Sequence, residues 1–122
     1  MAGRVRILIA EDDASMRRSI GRFLRAAGFE SIEYESAEAL LQSADLAPPV
    51  CLVTDIQLPG ISGLELFDRL LAKDSAVPTV FITAYEDAKR RECILRRPRV
   101  AYLAKPFEGA ALLEAIRKVT LT

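Results

Sequence analysis

Histidine is absent from the 122 residues of this sequence. The commonest general base in enzymes, a frequent metal ligand and any phosphohistidine chemistry are therefore excluded for this chain. Carboxylates, hydroxyls and amines must carry whatever chemistry the chain performs.

Cysteine is scarce as well, with Cys51 in an apolar run and Cys93 in a charged one. Two thiols in such different surroundings are too few for a disulfide framework or a zinc site, and we expect both to be reduced. No run of about eighteen apolar residues is present, and the N-terminal apolar run is too short for a signal peptide. We therefore expect a cytoplasmic protein without membrane contact.

Net charge is also lacking, because seventeen basic residues cancel seventeen acidic ones. No overall field attracts the chain to nucleic acid or to an anionic membrane. The basic residues between 89 and 99 stand among acids and lack interleaved aromatics, so they predict a solvated helix face or a protein-binding surface and no nucleic-acid contact. The length fits a single domain, which we expect to span residues 1–122.

Short apolar runs alternate with stretches of helical periodicity along the whole chain. The runs predict β-strands at 6–10, 31–35, 50–54, 79–83 and 100–104. Apolar spacing predicts helices at 16–27, at 37–47 after the N-cap Ser36, from Ser62, at about 86–97 and after Pro106. Continuously apolar strands that alternate with helices indicate an α/β fold with a parallel sheet covered on both faces.

Polar side chains stand where four of these strands end. In open parallel α/β sheets, functional groups gather outside the carboxyl ends of the strands. The residues at these ends are Glu11, Asp12 and Asp13 after the first strand, Asp55 after the third, Thr83 at the end of the fourth and Lys105 after the fifth. Each is unremarkable alone, but their convergence on one edge of the sheet predicts a functional site.

Carboxylates grouped without histidine or thiolate form a hard oxygen site that suits Mg²⁺. Glu11, Asp12 and Asp55 could supply the oxygens. A carboxylate can also attack phosphorus as a nucleophile, and a nearby ammonium and hydroxyl would then stabilise the phosphoryl oxygens. The pattern therefore predicts that Asp55 accepts phosphate beside Lys105 and Thr83.

The blocks "ILIAEDD", "LVTDIQLPGISGLEL", "VFITA" and "YLAKPF" resemble, in order and across almost the whole chain, the four signature blocks of response-regulator receiver domains. The resemblance implies a doubly wound, flavodoxin-like (βα)5 fold with strand order 2-1-3-4-5, the order of the chemotaxis member of the family. It also implies two-component signalling, in which a sensor histidine kinase donates the phosphoryl group. The wording "TDIQLPGISGLELFDRL" is most similar to receivers that precede a LuxR-type helix-turn-helix, as in nitrogen-fixation regulators.

The resemblance also implies a role for individual residues. These are Asp55 as the phosphorylated aspartate, Glu11 and Asp12 as the acid pair that holds Mg²⁺, Gln57 as a backbone-carbonyl ligand of the metal, Thr83 as the switch hydroxyl, Tyr102 as the switch aromatic, and Lys105 as the phosphate-contacting lysine before a cis bond to Pro106. On phosphorylation Tyr102 is expected to turn inward. The face formed by the fourth helix, fifth strand and fifth helix would then rearrange. The basic residues of the fourth helix, beside acids such as Glu108 and Glu114 near the fifth, suggest a charge-paired homodimer through this face.

Other functions are less consistent with the sequence. A phosphatase with an aspartate nucleophile should carry a second acid where Gln57 stands. A nucleotide-binding domain should have a glycine-rich turn where the chain has "AEDDAS". The remaining alternative is a phosphate-insensitive receiver used only as a protein-binding module, and the complete set of acids, Thr83 and Lys105 argues against it. We expect no enzyme activity beyond the domain's own phosphorylation and dephosphorylation.

Overall fold

A computed structural model describes residues 5–73 and 76–121. The strands are β1 (Arg6–Ala10), β2 (Glu30–Tyr34), β3 (Val50–Asp55), β4 (Thr79–Thr83) and β5 (Val100–Ala104). The helices are α1 (Ala14–Ala26), α2 (Ala37–Ser43), α3 (Gly63–Ala72), α4 (Ala88–Leu95) and α5 (Gly109–Thr120). The strands form one parallel sheet in the order β2-β1-β3-β4-β5, which confirms the predicted fold class.

Alternate residues of the central strands point to opposite faces of the sheet, as the pleat requires. Ile7 and Ile9 of β1 pack into a core with Leu24 of α1 and Ile116 of α5. Leu8 packs on the other face in a second core, which α2 and α3 cover. Because β1, β3 and β4 are covered on both sides, their continuously apolar sequence is explained.

Two helices are shorter than the sequence predicts. Helix α2 ends at Ser43, short of residue 47, and Ala44 already has an extended ψ of 136°. Arg6 donates hydrogen bonds to the carbonyls of Asp45 and Ala47, at 3.0 and 2.6 Å, so these acceptors are satisfied without further helix. Helix α4 begins two residues later than predicted because Asp87 caps it, accepting from the amides of its first turn.

Helix α4 packs on the domain through one fully buried side chain, and polar contacts flank it. Ile94 is its buried residue. Just beyond its C-terminus, Arg97 forms two hydrogen bonds of 3.2 Å with the carboxylate of Asp68 on α3, and these bonds raise the pKa of Arg97. The guanidinium of Arg91 lies 5.5 Å from the ring centre of Tyr102. The basic run thus pairs partly with acids and an aromatic ring of the same domain.

Both cysteines are free thiols, as predicted. Cys51 lies inside β3, where burial raises the pKa of its thiol to about 12. Cys93 is exposed on α4. Within the described ranges, no helix is long and apolar enough to cross a membrane.

Candidate functional site

Three carboxylates meet at the carboxyl edge of the sheet. Strands β1 and β3 pair with Ala10 opposite Thr54, so the residues that follow in each strand are neighbours. Glu11, Asp12 and Asp55 each offer one oxygen, and these oxygens all lie within 4.8 Å of one another. Glu11 and Asp55 are buried, whereas Asp12 is exposed. Three carboxylate oxygens in one partly solvated cluster are a donor set that fits Mg²⁺.

Lys105 enters this cluster from the end of β5. Its Nζ lies 2.8 Å from Oε1 of Glu11 and 2.7 Å from Oδ2 of Asp55. Burial alone would lower the pKa of Lys105, but the hydrogen bonds with the two carboxylates outweigh burial and raise it. The ammonium therefore stays charged and neutralises part of the acid cluster.

Burial has the opposite consequence for Glu11. Its side chain is almost completely enclosed, and the loss of solvation raises its pKa above the ordinary value, even though the bond from Lys105 acts to lower it. Oε2 of Glu11 also accepts a hydrogen bond of 3.2 Å from the amide of Asp13. Asp13 itself caps α1 by accepting from the amide of Met16 at 3.0 Å, so its carboxylate serves the N-terminus of that helix.

The loop after β3 is tied directly to Asp55. The amide of Gln57 donates to Oδ1 of Asp55 at 2.8 Å. At Gly63, where α3 begins, a Cβ atom would collide with the backbone carbonyl oxygen of Asp55, so only glycine fits this close approach. The loop thus returns to the strand end from which it departs.

Thr83 lies fully buried at the end of β4. Its hydroxyl donates to the carbonyl of Tyr85 at 3.3 Å and accepts from the amide of Tyr85 at 3.1 Å, so it bonds to its own loop. The amide of Lys105 donates to the carbonyl of Thr83 at 2.7 Å, and the Lys105–Pro106 bond is cis, as the resemblance implied. The structure therefore joins the ends of β4 and β5 directly beside the acid cluster.

Tyr102 is already turned inward in the structure. Its ring is buried with Phe81, Ile94 and Val100 beneath α4, and its hydroxyl is buried without a hydrogen-bond partner among the described residues. The inward position that the resemblance assigns to the phosphorylated form is thus the one observed. A movement of Tyr102 stays a prediction.

Glu38, a residue of the first turn of α2, contacts the site loop although its sequence position does not predict this. Its Oε2 accepts a hydrogen bond of 3.1 Å from the amide of Ile61, in the loop between Asp55 and α3. From the sequence, an acid in a first helical turn indicates only a favourable interaction with the helix dipole. No periodicity shows that this acid reaches a loop 23 residues further along the chain.

The sheet order, with acids at its carboxyl edge, defines a doubly wound α/β protein of the flavodoxin-like class. The sequence model for the response regulator receiver domain matches residues 7–117. The chain therefore belongs to the family of response regulator receiver domains.

The relatives and solved structures agree with this assignment. Nodulation protein W of Bradyrhizobium diazoefficiens is 36% identical over 114 residues, which cover 93% of this chain and 50% of that protein. Transcriptional regulatory protein FixJ of the same organism is 32% identical over 116 residues, covering 95% of this chain and 57% of FixJ. The crystal structure of FixJ-N has a TM-score of 0.87 at 29% identity and covers 98% of this chain and 95% of that one.

The predicted similarity to nitrogen-fixation regulators is confirmed, because FixJ is among the relatives. The solved structure of the response regulator StyR is 34% identical and has a TM-score of 0.89. The match covers 98% of this chain and 60% of the StyR chain. This chain spans about half the length of the curated relatives NodW and FixJ.

Proposed function

We propose that this domain accepts a phosphoryl group on Asp55 from a sensor histidine kinase in the cytoplasm, with Mg²⁺ as cofactor. The observation that carries the proposal is the contact of one ammonium, that of Lys105, with both Glu11 and Asp55 inside a cluster of three carboxylates. A nucleophile, a metal-binding donor set and a cation for phosphoryl oxygens are together in one place.

Transfer of the phosphoryl group needs no reactant besides the phosphorylated donor and Asp55. A carboxylate oxygen of Asp55 forms a bond to phosphorus while the bond between phosphorus and the donor's imidazole nitrogen breaks, and the electron pair stays on that nitrogen. Glu11, Asp12, Asp55 and the backbone carbonyl of Gln57 would hold Mg²⁺, which would neutralise charge on the phosphoryl oxygens.

Lys105 and Thr83 would both bond to oxygens of the phosphoryl group, Lys105 already during the transfer. Lys105 can exchange its bond with a carboxylate for one with a phosphoryl oxygen, because the ammonium has three donors. The hydroxyl of Thr83 makes only a local bond with the backbone of Tyr85, and a charged phosphoryl oxygen is a stronger acceptor. We expect Thr83 to leave its loop for that acceptor.

Uptake of phosphate tests this function. Acetyl phosphate and Mg²⁺ should add one phosphoryl group by intact mass, and Asp55→Asn or excess chelator should prevent the addition. A wild-type protein that takes up no phosphate from acetyl phosphate or from a phosphorylated kinase would favour the alternative of a phosphate-insensitive binding module.

We further propose that phosphorylation produces a homodimer through the face of α4, β5 and α5. Only contacts that differ between two states can shift such an equilibrium, and the new bonds to Thr83 and Lys105 supply that difference. Sedimentation with beryllofluoride, a phosphate mimic, should show a heavier species for wild type and for Thr83→Ser. Thr83→Ala should bind the mimic and remain monomeric. Dimerisation of Thr83→Ala equal to wild type would remove Thr83 from the switch.

The relatives suggest an output for this receiver. NodW and FixJ are about twice as long as the matched region, and FixJ is named as a transcriptional regulatory protein. We propose that this receiver likewise controls transcription.

A further inference from the structure

The loop of residues 56–62 connects Asp55 to helix α3, and its backbone position affects the candidate metal site. The amide of Gln57 orients Oδ1 of Asp55, and the carbonyl of the same residue is the proposed metal ligand. A displacement of this loop by a fraction of an ångström would change both groups together. Any contact that fixes the end of the loop next to α3 therefore also affects the candidate metal site.

Glu38 fixes this end of the loop, together with the bond from the amide of Gly63 to the carbonyl of Ile56. Its Oε2 accepts the hydrogen bond of 3.1 Å from the amide of Ile61, which lies near the far end of the loop. The neighbouring residue, Gly60, has φ of 76°, a left-handed conformation that favours glycine. A Cβ atom at Gly60 would collide with the carboxylate of Glu38, so the absent side chain is what allows helix α2 to reach the loop.

Fold stability alone explains this contact poorly. The second oxygen of Glu38, Oε1, is buried and has no hydrogen-bond partner among the described residues. Burying a carboxylate oxygen without a partner costs free energy, and Ser36 already caps α2. The carboxylate instead accepts one charge-assisted bond from the amide of Ile61, in a loop that contains no other long-range side-chain hydrogen bond among those described.

We infer that Glu38 is a positioning residue for the phosphorylation site, acting through Ile61 and the loop on Gln57 and Asp55. The inference rests on the proposed function, because it concerns the same metal site. Partners bonded directly to a metal ligand typically change metal affinity about tenfold or more when they are removed, and we apply the lower figure to Glu38, which acts through the loop. Glu38 itself touches neither the acid cluster nor the metal.

The test compares Glu38→Ala, Glu38→Gln and a control, Glu65→Ala. The control removes a half-exposed acid of α3 that pairs with Arg69 on the surface, so it matches the change in charge. Glutamine keeps an oxygen that can accept from the amide of Ile61 but has lost the charge. Similar values for Glu38→Gln and wild type would therefore show that the hydrogen bond is responsible, since a charge effect would make both Glu38 variants alike.

Amide hydrogen exchange in the metal-free protein measures directly how firmly the loop is held. Mg²⁺ titration followed by NMR measures the effect of the loop on metal affinity. In Glu38→Ala, the amides of Ile61 and Gln57 should exchange faster while those of Leu52 and Ile82 in the sheet stay protected. Mg²⁺ affinity should fall about tenfold. Phosphate uptake from acetyl phosphate should slow at low Mg²⁺ and recover at saturating Mg²⁺.

A second variant keeps the test usable if Glu38→Ala does not fold. Gly60→Ala should push the loop away from the retained Glu38 and lower Mg²⁺ affinity. Unchanged Mg²⁺ affinity in Gly60→Ala would contradict the inference. Where Glu38→Ala does fold, the losses in the double variant should not add, because both changes break the same contact. Additive losses would contradict the inference.

Other outcomes would also overturn the inference that Glu38 positions the phosphorylation site. Faster exchange at Ile61 with unchanged Gln57 exchange and unchanged Mg²⁺ affinity would make Glu38 a local loop anchor only. A wild-type protein that takes up no phosphate, but whose Mg²⁺ affinity still depends on Glu38, would refute the proposed function and leave the positioning role standing. Normal wild-type uptake with no effect of either Glu38 variant would refute the positioning role alone.

Discussion

Nζ of Lys105 lies 2.7 Å from Oδ2 of Asp55, although the two residues are 50 positions apart in the chain. They approach because β3 and β5 run parallel on either side of β4 and end at the same edge of the sheet. The ammonium also contacts Glu11 at 2.8 Å. A divalent cation that binds these carboxylate oxygens must therefore compete with the positive charge of Lys105.

Replacing Lys105 by methionine should separate metal binding from phosphoryl transfer. Without the ammonium, the carboxylates attract a cation more strongly, and Mg²⁺ affinity should rise about three- to tenfold. Phosphate uptake should slow by roughly tenfold or more, because a cation that stabilises the phosphoryl oxygens has been removed. Mg²⁺ titration and intact-mass time courses measure the two effects.

Lys118→Met is the matched control, because Lys118 is exposed on α5. It should change neither quantity. Weaker Mg²⁺ binding by Lys105→Met than by wild type would show that Lys105 does not compete with the metal.

Glu11→Gln should change how stability depends on pH. Burial raises the pKa of Glu11 above its ordinary 4.5, so the native state binds the proton more tightly than the unfolded state. The free energy of unfolding therefore loses a contribution as pH rises from about 4.5 through the native pKa. Relative to wild type, the stability of Glu11→Gln should increase across this window, as measured by denaturant unfolding with chelator present.

Titration of Lys105 does not affect this comparison of stability between Glu11→Gln and wild type. The raised pKa of Lys105 contributes stability that is present below its ordinary value of 10.5 and is lost only as pH rises through the native value. A stability difference between Glu11→Gln and wild type that stays constant from acid to neutral pH would contradict the role given to burial.

Most of the fold could be predicted because it depends on local patterns. The apolar run of β1 and the caps Ser36 and Ser62 mark where elements begin, and the structure places them there. Strand β2 lies one residue earlier than predicted, since Glu30 pairs with Arg6 across the sheet. Such a register depends on a partner strand, and no single strand's sequence contains it.

The candidate site could be predicted only as a set of residues at strand ends. Which hydrogen bonds they form depends on distances between loops. Thus the bond of Thr83 with the backbone of Tyr85 and that of Glu38 with Ile61 were not predicted. Both join side chains to backbone groups, and residue identity does not determine these partners.

Arg99 should be a point of conformational strain. It has φ of 55°, a left-handed conformation that costs a residue with a Cβ atom roughly 1–2 kcal/mol. Arg99→Gly should therefore raise the free energy of unfolding by about 1 kcal/mol, less than the full strain because glycine gains entropy in the unfolded chain. Arg99→Ala should gain nothing, because alanine has the same Cβ. Equal stability of the glycine and alanine variants would exclude strain at this position.

Chemical location of the phosphoryl group tests the central claim most directly. Borohydride reduces an acyl phosphate of aspartate to homoserine, which peptide mass spectrometry can place in the sequence. After treatment with acetyl phosphate and Mg²⁺, we expect homoserine at residue 55, none at residues 12 and 13, and none anywhere when Mg²⁺ is chelated. Reduction product at Asp12 or Asp13 with residue 55 unchanged would contradict the assignment of Asp55 as the phosphoacceptor. Homoserine at residue 55 that forms equally without Mg²⁺ would contradict the role given to the metal.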